Sequence, residues 1–172
     1  MLEYAVLYYS ETGNTSKIAA EIFSSLPGQS KDLIKVDMGK PIPQAKNYFV
    51  GFFVNKGTCN MEVADVLSEI HDAKVAIFAT CGANPIKEYK DNVERKVKVW
   101  IDDDNDYEGF FLCQGKMKRE VREKYEEMIT SENEEKIRVM LHNYEEAKLH
   151  PSSVDLERAR EFVEQIICGR SY

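Results

Sequence analysis

The chain is short of positive charge. Its 172 residues carry 23 Lys and Arg against 30 Asp and Glu, a formal net charge of −7. That balance argues against a nucleic-acid binder, whose affinity rests on a basic footprint facing phosphates. It suits solubility, and equally docking on a basic partner. Long apolar runs are missing too: none approaches the ~18 residues that cross a bilayer, and no basic segment leads into an apolar one. A cytoplasmic protein detached from membranes is expected. The four cysteines, Cys59, Cys81, Cys113 and Cys168, form no CxxC pair and no zinc-finger spacing. In a reducing compartment they are free thiols. The three histidines, His71, His142 and His150, fall on helical segments or a helix entry. None is expected in a ligand loop, and no Ser-His-Asp or Cys-His arrangement follows from their spacing. There is no internal repeat, low-complexity segment or linker, so residues 1–172 read as one domain, long enough to bury roughly two-thirds of its unfolded surface.

What is present begins at residues 4–15. The apolar run Tyr4-Ala-Val-Leu-Tyr-Tyr9 breaks into Ser10-Glu11-Thr12-Gly13-Asn14-Thr15, which opens a helix. Ser10, Thr12, Asn14 and Thr15 offer side-chain donors, and Gly13 lets the backbone turn tightly at positive φ. The N–H groups of the helix's first turn point at the same spot, where the helix dipole favours negative charge. One hydroxyl would satisfy an ordinary helix cap. Four polar side chains around one glycine exceed that need and point to a phosphate site.

Five apolar runs, Tyr4 to Tyr9, Leu33 to Val36, Tyr48 to Val54, Val75 to Thr80 and Gly109 to Cys113, are nearly continuous rather than alternating. That is the pattern of strands buried on both faces. Between them, Ile18, Ala19, Ile22, Phe23 and Leu26, and then Val63, Val66, Leu67 and Ile70, recur at helical spacing. Pro27-Gly28 stops the first helix, and Pro41-Ile42-Pro43 marks a loop. Strands alternating with helices predict right-handed βαβ units and a doubly wound, five-stranded parallel sheet in an α/β fold. A third helix is expected around Lys90 to Trp100, with Trp100 packed. The acidic run 102–106 is expected to be a solvated turn. Residues 116–148 read as an added helical segment, broken near Thr130-Ser131, whose apolar stripes, including Tyr125, Met128, Ile129, Ile137 and Tyr144, cover the domain or a partner. A last helix follows His150-Pro151, capped by Ser152 or Ser153 and reaching about Ile167.

In an open parallel sheet, ligands bind outside the carboxyl ends of the strands. The segments that meet there are Ser10 to Thr15, Asn55-Lys56-Gly57-Thr58-Cys59-Asn60, Thr80-Cys81-Gly82-Ala83-Asn84-Pro85, and Gln114-Gly115-Lys116, each with a glycine. On these residues the chain resembles the flavodoxin-like proteins over nearly its whole length. Ser10-x-Thr12-Gly13-x-Thr15 is similar to that family's phosphate loop for flavin mononucleotide (FMN), and the glycine loops after strands three and four to those that sandwich the ring. The phrases Gly51-Phe-Phe-Val-Asn-Lys-Gly57-Thr58, Phe111-Leu-Cys-Gln-Gly-Lys116 and His150-Pro151 with Asp155-Leu156 resemble a bacterial and archaeal subgroup. Other ligand sets on such folds lack their residues here. No Gly-x4-Gly-Lys-Ser/Thr or Gly-x-Gly-x-x-Gly follows a strand, and Val54-Asn55 stands where a phospho-accepting receiver domain needs a carboxylate.

The resemblance implies a three-layer α/β fold with its five parallel strands in the order 2-1-3-4-5, one non-covalent FMN and one- or two-electron transfer, with a redox partner protein or a small electron acceptor. Ser10, the backbone of Glu11, Thr12, Gly13, Asn14 and Thr15 would hold the phosphate. Ring contacts would come from Phe53, Val54, Asn55, Lys56, Gly57, Thr58 and Cys59, from Thr80, Cys81, Gly82, Ala83, Asn84 and Tyr89, and from Gln114. The Trp and Tyr platforms common in the family are absent after strands three and four, which leaves a more open ring face. Gly57 takes the place of a peptide that turns at positive φ, while Lys56 and Lys116 are either charges near the ring or solvated lysines. Three cysteines, Cys59, Cys81 and Cys113, fall on the ligand edge, as redox-active thiols or, more simply, as small buried residues. Two other functions share these residues: an NAD(P)H-dependent quinone or flavin reductase, and an FMN-free interaction module acting through 116–148.

Overall fold

A computed structural model describes residues 1–37 and 39–169. Five strands, β1 (Leu2–Tyr8), β2 (Lys31–Lys35), β3 (Ala45–Phe53), β4 (Lys74–Cys81) and β5 (Asp106–Gln114), form one sheet in the order β2-β1-β3-β4-β5. Every pairing is parallel. The expected order and layers are therefore those observed. Helices α1 (Asn14–Ser25), α2 (Met61–Ser68), α3 (Lys87–Lys98) and α6 (Ser153–Ile167) cover the sheet, with α4 (Arg119–Glu127) and α5 (Glu134–Ala147) between β5 and α6.

The near-continuous apolar strands are explained by the two faces they bury. Ala5, Leu7, Val50, Phe52, Ile77 and Phe110 pack with Val63, Leu67, Val93 and Val97 of α2 and α3. Their neighbours in sequence, Val6, Phe49, Phe78 and Phe111, point the other way and pack with Ile18, Ile22, Phe162 and Val163 of α1 and α6. Phe162 meets Phe49 edge-on at 6.4 Å and Phe111 at 5.9 Å between ring centroids.

Some expectations shift in detail. The third helix starts earlier, at Lys87, because Pro85 and the extended Ile86 set its entry, and it ends at Lys98. Trp100 consequently falls past the helix and is 36% exposed rather than packed. The segment 116–148 is not helical from its start: residues 115–118 belong to no helix or strand, and the break between α4 and α5 is held by Asn133, which accepts from the Thr130 N–H and donates to the Met128 carbonyl. Ile137 and Tyr144 are buried as their stripe predicts, whereas Met128 and Ile129 remain exposed. The acidic run is a solvated turn at the amino ends of β4 and β5, where His71 Nδ1 lies 2.9 Å from an Asp104 oxygen and Asn105 accepts from the Ala73 N–H.

The entry to α6 is tied down by a buried carboxylate. Ser152 and Asp155 form a capping box, and Asp155 Oδ2 accepts from the Ser152 N–H at 2.7 Å, the Ser152 hydroxyl at 2.9 Å and His150 Nδ1 at 2.6 Å. Burial pushes the Asp155 carboxyl up, but the Ser152 amide and the His150 and Ser152 side chains outweigh it and hold it below its usual value. A depressed folded-state value contributes stability above the unfolded value near 3.8, and that stability is lost as pH falls through the lower folded value. Asp155→Asn is expected to cost about 1.5–3 kcal/mol at neutral pH, the range for hydrogen bonds to a charged group. In urea unfolding, the gap between wild type and variant should stay constant above about pH 5 and narrow below about pH 4. A gap independent of pH would contradict this role.

Candidate functional site

The loop between β1 and α1 turns at Gly13, whose φ of 91° is left-handed and whose missing Cβ faces open space. Gly13 is also the N-cap, with no side-chain cap on the helix, and the first helical bond runs from the Lys17 N–H to the Gly13 carbonyl. The N–H groups of the first turn thus lack the partner a Ser or Asp cap supplies. Around them stand Ser10, which is buried and accepts from the Gly13 N–H at 3.2 Å, and Thr12, which accepts from Asn14 Nδ2 at 3.1 Å. Thr15 is buried with its hydroxyl 2.9 Å from that of Thr80. Two lysines here are already engaged: Lys17 Nζ donates to the Pro151 carbonyl and Lys118 Nζ pairs with Glu11 at 2.9 Å. The donors suit an anion held by hydroxyls and amides.

Beside this loop lies a recess of about 260 Å3 lined by Glu11, Thr12 and Asn14, by Phe53 and Val54, by Thr80, Cys81 and Gly82, and by Gly115 to Lys118 with Val121. The carboxyl ends of β1, β3, β4 and β5 therefore meet where strand order places them. A wider depression of about 940 Å3 lies at the opposite edge, at the amino ends of the strands, near Glu3, His71 and Asp104. Phe53 supplies the aromatic surface of the recess and is itself backed by Tyr9, with ring centroids 5.7 Å apart.

After β3, Asn55 and Thr58 exchange backbone hydrogen bonds across Lys56 and Gly57, at φ 50° and 80°. Two successive positive values make a type I′ turn, which favours Gly at its second central position. A Cβ on Gly57 would lie 3.4 Å from Lys96 Nζ of α3. Lys96 thus stands beside the turn, although it lies far outside any ligand-edge loop in sequence. Asn60 caps α2 through its backbone, leaving its buried Oδ1 without a partner among the described residues.

Several predicted residues lie near the recess but do not line it. Ala83 and Asn84 face the next cavity. Tyr89 sits in the first turns of α3 and packs against the α2–α3 face of the core, its hydroxyl pushed up to about 12 by burial and then by Cys81. Gln114 is buried, with Nε2 donating to the Gly82 carbonyl and to Asn143 Oδ1 of α5, and Asn143 donates to that carbonyl as well. Both amides fix the loop after β4 from behind. Burial raises the Cys59 thiol, and it raises Cys81 to about 12 and Cys113 further still. The three are buried, protonated thiols, which supports the simpler reading of them.

Met117 and Lys118 escape a sequence reading that expects helix from 116. Asn14 Nδ2 donates to the Lys116 carbonyl at 2.8 Å, carrying residues 115–118 across the edge from β5 to the β1 loop. Met117 Sδ lies 2.5 Å from where a Cβ on Gly82 would be, and Asn14 Nδ2 lies 2.7 Å from where one on Gly115 would be. Both glycines leave room for these side chains to pack against the backbone. His150 corrects another expectation: its carbonyl accepts from the Lys116 N–H at 3.1 Å, bringing a histidine to the ligand edge.

The family profile of the flavodoxin domain matches residues 5–164. The chain belongs to the flavodoxin family. The flavodoxin-like domain-containing protein BilS of Clostridioides difficile (strain CD3) is 36% identical over 170 residues, covering 96% of this chain and 97% of that one. The BilS of Clostridium symbiosum (strain WAL-14163) is 24% identical over 179 residues, covering 94% of each. Among solved structures, a flavodoxin from Streptococcus pneumoniae TIGR4 is similar with a TM-score of 0.61 at 13% identity, covering 96% of this chain and 98% of that one, a likeness of fold. No helix of this flavodoxin-family chain, among the described residues, is long and apolar enough to cross a membrane.

Proposed function

We propose that the chain binds one FMN non-covalently at the carboxyl edge of its sheet and works as an electron carrier for a redox partner protein or a small acceptor. The observation that carries this reading is the uncapped amino end of α1, ringed by Ser10, Thr12 and Thr15, opening onto a recess backed by an aromatic ring. Membership of the flavodoxin family and the flavodoxin-like relatives point the same way. Residues 10–15 would hold the phosphate. Phe53, Val54 and the type I′ turn at 55–58 would face one side of the ring, with Cys81 and Gly82 on another.

The donor set fits the phosphate, and the ring end fits once Met117 moves. At about 260 Å3 the recess falls below the ~300–1,000 Å3 usual for ligand pockets. Met117, unbranched and adaptable, lines the recess and packs on Gly82, where its movement would widen the site. FMN, when bound, supplies the electron-transfer chemistry. The protein's part is to fix the phosphate, to offer Phe53 and the Gly57 peptide to the ring, and to screen it with the 115–118 segment.

Titration of the purified protein with FMN, followed by flavin fluorescence and visible absorbance, should give saturable binding of one FMN per chain. Protein that neither contains nor takes up FMN would overturn the reading and leave the interaction module. With FMN bound, steady turnover of NADH or NADPH with a quinone would make the protein a reductase. Rapid oxidation of its reduced form by a one-electron acceptor, without such turnover, is what a carrier should show.

A further inference from the structure

A second cavity, of about 850 Å3, adjoins the recess and shares Gly82 and Met117 with it. One wall is α5, where Val139, His142, Asn143 and Glu146 recur at the three- and four-residue spacing of one helix face. The entry to α6 supplies another, with His150, Asp155 and Arg158. Ala83, Pro85, Met117, Tyr125 and Met140 give the cavity its apolar surface. Thioethers of this kind adapt to flat aromatic faces.

The polar groups are unevenly matched. Arg119, Arg122, Arg138 and Arg160 each pair with a carboxylate, whereas Arg158 forms no ion pair among the described residues. In a chain of net charge −7, that leaves a guanidinium beside the cavity without its counter-ion. The Asp155 charge is taken up by Ser152 and His150. The bond from His150 Nδ1–H to Asp155 also fixes the tautomer and orientation of the ring and leaves Nε2 an acceptor, so the guanidinium is the group left for an anion. Glu146 is the other carboxylate of the lining.

We propose that this cavity binds a planar aromatic carboxylic acid, its ring against Met117 and Met140 and its carboxylate on Arg158. A guanidinium fork matches a carboxylate in two parallel bonds, and thioether walls suit a flat ring. The significance for redox chemistry rests on the FMN reading above: a molecule here and a flavin in the recess would have Gly82 and Met117 as common neighbours.

2-Naphthoate serves as the probe, its fluorescence titrated against the full chain with and without added FMN. Saturable binding is expected. Arg158→Gln should weaken it by about tenfold or more, the worth of a charge-assisted bond, and Glu146→Gln should tighten it by removing a like charge. Neutral 2-naphthylmethanol should bind wild type and Arg158→Gln alike. Arg158 is exposed, so its replacement should leave the thermal unfolding midpoint unchanged. Failure of the wild type to bind 2-naphthoate, or equal binding by Arg158→Gln, overturns the proposal. FMN uptake is followed separately by visible absorbance, so failure of the flavin reading and failure of this one are distinguishable.

Discussion

Ser10→Ala/Thr12→Ala is expected to lose FMN affinity by about 10²-fold or more while binding riboflavin as the wild type does. The reasoning starts from the loop. Ser10 Oγ accepts from the Gly13 N–H, so its proton is free to be donated, and Thr12 stands at the mouth of the recess. A hydrogen bond to a charged group contributes about 1.5–3 kcal/mol. Two of them lost together amount to about 3 kcal/mol at the low end, roughly 10²-fold in affinity. Lys17 and Lys118 are engaged elsewhere, so neither is free to compensate. Riboflavin lacks the phosphate and should ignore both substitutions. Titrating each flavin against both proteins separates the outcomes. Equal losses for both flavins would mean that the recess itself had collapsed, and unchanged FMN affinity would move the phosphate away from this loop.

That loop was legible in sequence because its signals are local. Hydroxyls, a glycine and the start of a helical period lie within a few residues, and strand-loop-helix order places them at the sheet edge. The doubly covered parallel sheet was legible for a similar reason, since continuous apolar runs require two covered faces, and the strand order came with the family resemblance. What sequence could not show were contacts made across the fold. Tyr89 looks like a ring contact from its closeness to the loop after β4, but helical rotation turns it into the core. Gln114 ends a ligand-edge strand, yet Asn143, 29 residues later, claims it for the Gly82 carbonyl. His150 and Lys116 meet through backbone atoms that carry no residue-type signal. The irregular 115–118 segment was hidden because Lys116 to Lys118 read like the start of the charged helix that follows. Its true start needed the long-range bond from Asn14 to the Lys116 carbonyl.

Gly51 makes the same distinction in the core and yields the second large effect. In sequence it is a glycine inside an apolar strand, a place where glycine weakens a sheet unless something approaches closely. In the fold it pairs with Phe78 of β4, and a Cβ built on it would lie 2.1 Å from Phe78 Cζ. Its φ is not in the left-handed region, so space alone demands the glycine. Phe78 is fully buried among residues of α1 and α6 and has nowhere to retreat. Gly51→Ala should therefore destabilise by about 2–3 kcal/mol, the upper part of the overpacking range. Phe78→Leu alone should cost about 1–2 kcal/mol by leaving a cavity. Together they should cost at least about 1 kcal/mol less than their sum, because the smaller side chain vacates the space that the methyl group needs. Urea unfolding of the four proteins measures this coupling directly. Strict additivity would show that the strand pair relaxes elsewhere. A coupling of the expected sign would place Gly51 and Phe78 in a single packing unit, one that fixes β3 against β4 and so sets where Phe53 and Thr80 stand in the recess.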